Sequence, residues 1–210
     1  MADQNLTELV FVLDRSGSMA GLEADTVGGY NTLLARNREL PGEALVSCVL
    51  FNHESRVLHD RVPIADVAPM ELADFRPSGC TALLDAVGGA IHHHELVQRV
   101  LPEPYRPAHT LLAIATDGME NASKRYSYEQ VRRMIGDARE RGWEVVFLAA
   151  NIDAAAEAAR LGVDPDRAVA YAATPMGTRE MFDQVACASA CVRSGAPLTG
   201  WSSRRSATTR

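Results

Sequence analysis

Residues 9–19 have the sequence Leu-Val-Phe-Val-Leu-Asp-Arg-Ser-Gly-Ser-Met, in which an apolar run gives way to an acid and two hydroxyls. A short, uninterrupted run of β-prone apolar residues is typical of a strand that is buried on both faces, as in the middle of a parallel sheet. Asp14 follows this strand directly. Because open α/β sheets bind their ligands at the carboxyl ends of their strands, the position of Asp14 predicts a functional site there.

The polar residues after this strand have the chemistry of a metal site. Asp14, Ser16 and Ser18 present oxygen atoms at alternate positions, and Gly17 permits a tight backbone between the two serines. Hard oxygen ligands suit Mg²⁺ or Mn²⁺ and suit Zn²⁺ poorly. Three oxygens do not complete an octahedron, so we expect the rest of the chain to supply further ligands.

The composition is that of an ordinary globular protein. The chain has 210 residues, of which 47% are hydrophobic and 23% are charged, and its formal net charge is −6. This length predicts one large domain, or one domain with a tail, and the negative charge argues against binding to nucleic acid or to an anionic membrane. Residues 1–5 lack the basic segment of a signal peptide, and no apolar run approaches the roughly 20 residues that span a bilayer. We therefore expect a cytoplasmic protein with reduced cysteines.

Predicted strands and helices alternate along the rest of the chain. The apolar patterns predict further strands at residues 44–51, 110–116, 145–149 and 168–172, and helices at residues 22–40, 81–100, 127–142, 154–161 and around 181–188. Residues 52–54 are too few for a crossover, so residues 55–59 should return as an antiparallel hairpin strand. This order predicts an α/β fold with a doubly wound, mostly parallel central sheet, one antiparallel edge strand and helices on both faces.

Several small and polar residues lie within the predicted helices. Gly28 and Gly29 lower helix propensity, and we interpret them as a point of close packing on the sheet. Residues 92–94 are three consecutive histidines, which point in different directions around a helix, cannot converge on one metal ion and should form a mostly solvated face. Asp85 is either a hydrogen-bonding group within the site or a surface acid near the start of its helix.

A long connection precedes the second helix. Residues 61–80 contain three prolines and predict a loop with one short helical turn near residues 70–75. Thr81 follows this loop, at the start of the helix. Taken alone, Thr81 is either an ordinary helix N-cap or a hydroxyl that contributes to a site.

A second buried strand also ends in an acid. The predicted strand at residues 110–116 is followed by Asp117 and Gly118. Because the carboxyl ends of parallel strands lie at the same edge of a sheet, Asp117 is the best available partner for Asp14. Segments that are distant in sequence should therefore meet at one edge, where they contribute Asp14, Ser16, Ser18, Thr81 and Asp117.

These segments resemble the von Willebrand factor type A domain, the fold shared with integrin I domains. Residues 14–18, Asp-Arg-Ser-Gly-Ser, fit the Asp-x-Ser-x-Ser signature of that family. Residues 79–83, Gly-Cys-Thr-Ala-Leu, match its threonine loop, and residues 115–118, Ala-Thr-Asp-Gly, match its second aspartate loop. The order and separation of the motifs fit, and the resemblance covers roughly residues 6–190. The chain looks most like the small, stand-alone bacterial members.

The resemblance implies a metal-ion-dependent adhesion site, in which Ser16, Ser18 and Thr81 offer hydroxyl oxygens to Mg²⁺, or to Mn²⁺ in its place. Asp14 and Asp117 would supply charge, either directly or by fixing coordinated waters. In the family, a carboxylate from a partner protein fills the open coordination position, which suits the attraction of a partly neutralised dication for an anion. The expected function is therefore a non-enzymatic, Mg²⁺-dependent protein–protein interaction domain, of an oligomeric state that the sequence leaves open.

Other functions fit the sequence less well. Phosphotransferases of the haloacid dehalogenase type also place an aspartate after the first strand and use Mg²⁺, but they need a second acid two residues later, where this chain has Ser16. A serine hydrolase is disfavoured because Ser16 and Ser18 lack a Gly-x-Ser-x-Gly elbow. A scaffold of the same fold with an idle metal site is the remaining alternative.

The end of the chain differs in composition from the rest. Residues 194–210 are rich in Ser, Thr and Gly and contain three arginines and no acid. This composition predicts a disordered tail. The folded domain is accordingly predicted to span residues 1–193.

Overall fold

The computed structural model describes residues 6–198 and Trp201. Within these residues the chain forms a six-stranded sheet in the order β3-β2-β1-β4-β5-β6, in which only the β2–β3 pair is antiparallel. The strands are β1 (Thr7–Asp14), β2 (Ala44–Phe51), β3 (Ser55–Pro63), β4 (His109–Thr116), β5 (Trp143–Ala149) and β6 (Ala168–Ala170). This topology confirms the predicted fold class, including the antiparallel strand at one edge.

The helices lie on both faces of the sheet, as predicted. They are α1 (Glu23–Arg38), α2 (Leu83–Val100), α3 (Tyr128–Glu140), α4 (Ala154–Leu161) and α5 (Pro175–Arg193). Side chains of α1 and α5 pack in one hydrophobic core and those of α2, α3 and α4 in the other. Within the described residues, no helix is long and apolar enough to cross a membrane.

Strand β1 is one of the two central strands of the sheet and contributes to both cores. All of its residues are buried. Leu9, Phe11 and Leu13 face the core of α1 and α5, whereas Val10 and Val12 face the other core. Burial of each such side chain stabilises the fold by roughly 1.5–3 kcal/mol. The apolar run therefore predicts this strand correctly, and every side chain of the run is buried.

Gly29 of the glycine pair in α1 packs against a helix and not, as predicted, against the sheet. A Cβ atom on Gly29 would lie 2.3 Å from Cδ2 of Phe182 in α5, so only glycine fits there. A Cβ atom on Gly28 would meet nothing within 4 Å. The sequence indicates a close approach correctly, but it does not reveal which element approaches.

The loop between β3 and α2 contains a hydrogen-bonded turn rather than a helical segment. The backbone N–H of Asp74 donates to the carbonyl of Glu71 at 2.9 Å, and no helix is assigned between β3 and α2. Met70 and Phe75 flank this turn and are almost fully buried in the core of α1 and α5. Two buried side chains thus fix a loop that has little regular structure.

The folded part of the chain extends beyond residue 193, so the predicted boundary is too early. Leu198 and Trp201 are each 1% exposed, and the Trp201 indole N–H donates to the carbonyl of Gln184 in α5 at 3.1 Å. Two apolar side chains in a polar segment are enough to return it to the core. The remainder of the predicted tail, at 199–200 and 202–210, lies outside the described residues.

A buried carboxylate lies near the amino end of β1. Glu8 is fully buried, forms an ion pair with Arg61 of β3 and is hydrogen-bonded to His94 of α2, whose Nδ1 is 3.0 Å from Glu8 Oε1. His94 is itself buried, so the prediction of a solvated histidine face holds only for His92 and His93. Burial raises the pKa of Glu8, but the hydrogen bonds to His94 and Gln98 and the positive charge of Arg61 outweigh this effect and hold its pKa below the usual value.

We predict that Glu8→Gln lowers the free energy of unfolding at pH 7 by about 3 kcal/mol, because it leaves the largely buried Arg61 side chain without its counter-charge. The pKa of Glu8 is lower in the folded protein than in the unfolded chain, so its charge stabilises the fold above the usual glutamate value of 4.5. This contribution is lost as the pH falls through the folded-state pKa. Urea unfolding from pH 7 down to pH 3 should therefore show the two proteins converging in acid.

Glu140→Gln is the matched control, because Glu140 is exposed at the end of α3. It should change stability by less than about 0.5 kcal/mol at every pH. A Glu8→Gln variant as stable as the parent at pH 7 would refute a stabilising role for the buried ion pair.

Candidate metal centre

Parallel pairing places the predicted site residues at one edge of the sheet. Strands β1 and β4 are neighbours, with Leu13 opposite Ala115, so Asp14 at the end of β1 lies beside Thr116 at the end of β4. Asp117 follows β4 directly, and Thr81 lies two residues before α2. The register of one strand pair therefore brings the two predicted aspartates together.

Asp14 is buried and held by hydrogen bonds to both of its carboxylate oxygens. The backbone N–H of Ser16 donates to Oδ1 at 2.7 Å, and the Thr116 hydroxyl donates to Oδ2 at 2.6 Å. Asp14 is only 1% exposed. These bonds fix the carboxylate but supply no neutralising charge.

Ser16, Ser18 and Asp117 form a connected set of oxygens beside Asp14. The hydroxyl oxygens of Ser16 and Ser18 are 3.1 Å apart, and the Ser18 hydroxyl donates to Asp117 Oδ1 at 2.6 Å. Asp117 Oδ2 is buried and has no hydrogen-bond partner among the described residues. Since buried carboxylate oxygens almost always have a partner, this orphaned atom marks a position for a cation or a bound water.

Thr81 contributes a hydroxyl to the site and does not act as the side-chain cap of α2. The N-cap residue of α2 is Ala82, and the side chains that accept from N–H groups of the first helical turn are those of Glu120 and Ser123. A Cβ atom placed on Gly118 would be 3.3 Å from Thr81 Oγ1 and 3.7 Å from Ser18 Oγ. The two hydroxyls thus border one space, which the absence of a side chain at Gly118 leaves open.

Backbone contacts hold the loop that carries Thr81 against the loop that carries the serines. The N–H of Gly17 donates to the carbonyl of Gly79, and the N–H of Ser78 donates to the carbonyl of Arg15, each at 3.0 Å. The side chain of Asn52 reinforces the second loop by donating to the carbonyl of Ser78 at 2.9 Å. Reciprocal hydrogen bonds of this kind fix the spacing of the hydroxyls before any ligand binds.

The segment after Asp117 is fixed to α2 by acidic and amide side chains. Asn121 Oδ1 accepts from the N–H of Thr81 at 2.9 Å, and Glu120 Oε2 accepts from the N–H of Leu84 at 2.9 Å. Asp85 accepts from the backbone N–H groups of three consecutive residues, 124–126. Asp85 is therefore neither a hydrogen-bonding group within the site nor a simple surface acid, because it anchors the loop beside the site.

The electrostatics of the site favour a cation. Burial raises the pKa of Asp14, to which the neighbouring charge of Asp117 adds, even though Thr116 and Ser16 donate hydrogen bonds to it. Burial also raises the pKa of Asp117, against the hydrogen bond from Ser18. None of the ion pairs formed by the described residues includes either aspartate. Two buried carboxylates without a basic partner offer both the oxygen ligands and the negative charge that a divalent cation requires.

Three supporting residues are absent from the sequence-based candidates. Thr116 donates to Asp14, Gly118 leaves the space beside the hydroxyls open, and Asn151 donates from Nδ2 to the carbonyl of Asp117 at 3.3 Å. The sequence could have indicated Thr116, because it is the polar last residue of a buried strand and precedes an acid. No sequence pattern identifies Asn151, because its contact with Asp117 depends on the position of the turn after β5.

Comparison of structures, but not of sequences, finds proteins that are similar to this chain. No family model matches the chain, and no curated protein matches it by sequence. Proximal thread matrix protein 1 from the mussel byssus, solved with a zinc-occupied MIDAS motif, has a TM-score of 0.61 at 16% identity over 90% of this chain. This chain spans only 47% of that structure, about half its length.

Two further structures with this fold come from unrelated organisms. The manganese-loaded TRAP protein of Plasmodium vivax has a TM-score of 0.58 at 16% identity, over 85% of this chain and 72% of its own. A von Willebrand factor type A protein from Catenulispora acidiphila has a TM-score of 0.56 at 17% identity, over 87% of this chain and 42% of its own. At these identities the likeness concerns the fold, and the chain has the von Willebrand factor type A fold.

Proposed function

We propose that this protein is a non-enzymatic, metal-dependent protein-interaction domain. Its metal centre comprises Asp14, Ser16, Ser18, Thr81 and Asp117, binds Mg²⁺ or Mn²⁺, and presents an open position to a carboxylate of a partner protein. The observation that carries the proposal is the buried Asp117 Oδ2, which has no partner among the described residues and adjoins the hydroxyl cluster. Metal-loaded structures of the same fold add support.

The donor set determines what the centre offers to a ligand. Ser16, Ser18 and Thr81 are neutral oxygen donors, while Asp14 and Asp117 carry the negative charge of the site. When bound, a divalent cation would supply an electrophilic open coordination position that accepts an anionic oxygen, because neutral hydroxyls donate less electron density to it than carboxylates do. The chain's own residues orient the hydroxyls and shield the two aspartates from water.

The surface around the centre suits a protein ligand. Ser18 and Gly17 are exposed, and Met119, which follows Gly118, is 59% exposed. An exposed apolar side chain beside an anion-attracting position is a common composition for the core of a small interface. We therefore infer that the partner presents an acidic residue next to an apolar one.

Contacts of Asp14 argue against the phosphotransferase alternative. A nucleophilic aspartate needs a free and accessible carboxylate oxygen, but both oxygens of Asp14 accept hydrogen bonds and the residue is 1% exposed. The general-acid position is occupied by Ser16. We propose that the domain acts by binding alone and that it is located in the cytoplasm, as the sequence leads us to expect.

We predict that metal-free protein binds Mg²⁺ at a single saturable site, measured by isothermal titration calorimetry, and that Mn²⁺ competes for this site. Asp14→Ala should abolish binding because it removes half of the negative charge. Thr81→Ala should weaken binding by at least about tenfold, or roughly 1.4 kcal/mol, whereas Thr81→Ser keeps the hydroxyl and should bind like the parent. Asp166→Ala, an exposed acid before β6, is the control for the loss of one charge.

Circular dichroism and urea unfolding of the metal-free variants separate binding from folding. Because Thr81 does not cap α2, Thr81→Ala should retain nearly the parent stability. Equal metal affinity in Thr81→Ala and Thr81→Ser, with both variants folded, would contradict the assignment of Thr81. Parent protein that binds neither ion at millimolar concentration would favour the alternative of a scaffold with an idle site.

We also predict that Gly118→Ala weakens Mg²⁺ binding by about tenfold without unfolding the domain. Its methyl group would lie 3.3 Å from Thr81 Oγ1 and 3.7 Å from Ser18 Oγ, within the space that the two hydroxyls border. Gly136→Ala is the control, since a Cβ atom there meets nothing within 4 Å. Unchanged affinity in Gly118→Ala would place the metal away from this space.

Acetate tests the open position with the smallest carboxylate probe. In the presence of Mg²⁺, acetate should shift the amide resonances of residues 16–18, 80–82 and 117–119 in an NMR titration, and acetamide, its neutral analogue, should not. The acetate shifts should disappear in Thr81→Ala and without metal. Equal shifts from acetate and acetamide would show that charge is not recognised, and would contradict a carboxylate ligand.

A further inference from the structure

A second group of metal-ligating side chains lies between the edge strand β3 and helix α2. Asp60 of β3 and His93 and His94 of α2 each offer a ligand atom, and these atoms all lie within 4.8 Å of one another. Nε2 of His93 is 2.9 Å from Asp60 Oδ1, and the two imidazole rings have centroids 5.1 Å apart. The prediction that consecutive histidines cannot converge is therefore wrong for His93 and His94, which approach each other and a residue that is distant in sequence.

An irregularity of β3 brings Asp60 to α2. The pairing of β2 with β3 shifts register on both sides of Cys48, so that residues 60 and 61 together lie opposite Ser47. Arg61 has a positive φ of 51°, and its N–H donates to Ser47 Oγ at 2.8 Å. Bulges of this kind redirect side chains at sheet edges, and here both Asp60 and Arg61 reach the α2 side.

Glu8 prepares His94 to act as a ligand. The His94 side chain is 2% exposed and its Nδ1 lies 3.0 Å from Glu8 Oε1, on a carboxylate that is 0% exposed. A ring that donates its Nδ1 hydrogen to a carboxylate carries its lone pair on Nε2. Histidines that bind metal ions almost always have such a partner on the other ring nitrogen. The arrangement therefore includes the supporting carboxylate as well as the ligands.

We propose that Asp60, His93 and His94 form a second metal site, which binds Zn²⁺ or a similar transition-metal dication. Two imidazoles and one carboxylate are the donors that such ions prefer, while Mg²⁺ prefers oxygen alone. Three protein ligands leave one coordination position for water or an external ligand. That position faces a groove of about 180 Å³ between α2 and the edge of the sheet, lined by Val49, Val57 and Gly89, among others.

The second site is distinct from the metal centre at the strand ends. His93 lies ten residues after the first residue of α2, which corresponds to about 15 Å along the helix. A metal ion there would join the edge strand to α2. The His93–Asp60 pair already connects these two elements directly, and Glu8 connects them through its contacts with Arg61 and His94. The inference rests on side chains that the proposed adhesion centre does not use, so either proposal stands without the other.

Co²⁺ is the first probe because tetrahedral sites with nitrogen ligands give it strong visible absorption. We expect untagged protein in millimolar Mg²⁺ to bind one Co²⁺ with this spectrum, and Zn²⁺ to displace it. His93→Gln and Asp60→Asn should weaken binding at least about tenfold. His92→Gln is the matched control, since His92 is the exposed neighbour of His93 and belongs to no ligand group. All of these replacements are at exposed positions and should preserve the fold.

The same titration with Asp14→Ala protein separates the two sites, because that variant lacks the proposed adhesion centre. Retention of the absorption in Asp14→Ala and its loss in Asp14→Ala combined with His93→Gln would support the second site, whatever the fate of the first. Three results would overturn it: no saturable Co²⁺ binding by the parent, the same affinity in His93→Gln, or an equal loss in His92→Gln, which would indicate general binding by surface histidines.

Discussion

The parallel pairing of β1 with β4 is the constraint on which the rest of the structure depends. It removes two carboxylates from water at the same sheet edge, since Asp14 ends β1 and Asp117 follows β4. Buried charge is costly unless it is paired or hydrogen-bonded. Thr116 and the serine loop supply the hydrogen bonds, yet no basic side chain of the described residues pairs with either acid. The fold thus holds negative charge in place without neutralising it.

Strand β1 carries a buried carboxylate near each of its ends, and the fold treats the two differently. Glu8, near the amino end, has Arg61 and His94 as partners, and these hold its pKa low. Asp14, at the carboxyl end, has only neutral hydrogen-bond donors, and burial raises its pKa. The first arrangement is complete within the chain and stabilises it. The second has no counter-charge among the described residues, and the proposed cation would supply it.

The sequence predicts correctly those features of the fold that are determined by residues close together along the chain. Apolar runs predict the buried strand at residues 9–13 and the acids at two strand ends, and the short connection predicts the hairpin edge. The observed sheet contains all three features. Trp201 escaped prediction because composition averages over a segment, whereas one large side chain that packs in the core fixes its position.

Other features escaped prediction because they depend on pairing between distant segments. The support of Asp14 by Thr116 requires the register of β1 with β4. The approach of Asp60 to His93 requires a bulge that no local signal marks. The role of Asp85 was misjudged for the same reason, since its backbone partners at 124–126 follow a different strand.

The two proposed sites differ in donor chemistry, and this difference decides which ions they would select. The centre at the strand ends has only oxygen donors, which suit Mg²⁺ and Mn²⁺. The site between β3 and α2 has two imidazoles, which raise the affinity for Zn²⁺ far more than for Mg²⁺. Helix α2 contributes to both, since it begins next to Thr81 and carries His93 and His94. One rigid helix would therefore connect an oxygen-lined centre for an exchangeable ion with a nitrogen-containing site for a tightly held one, and selectivity would come from the donor atoms alone.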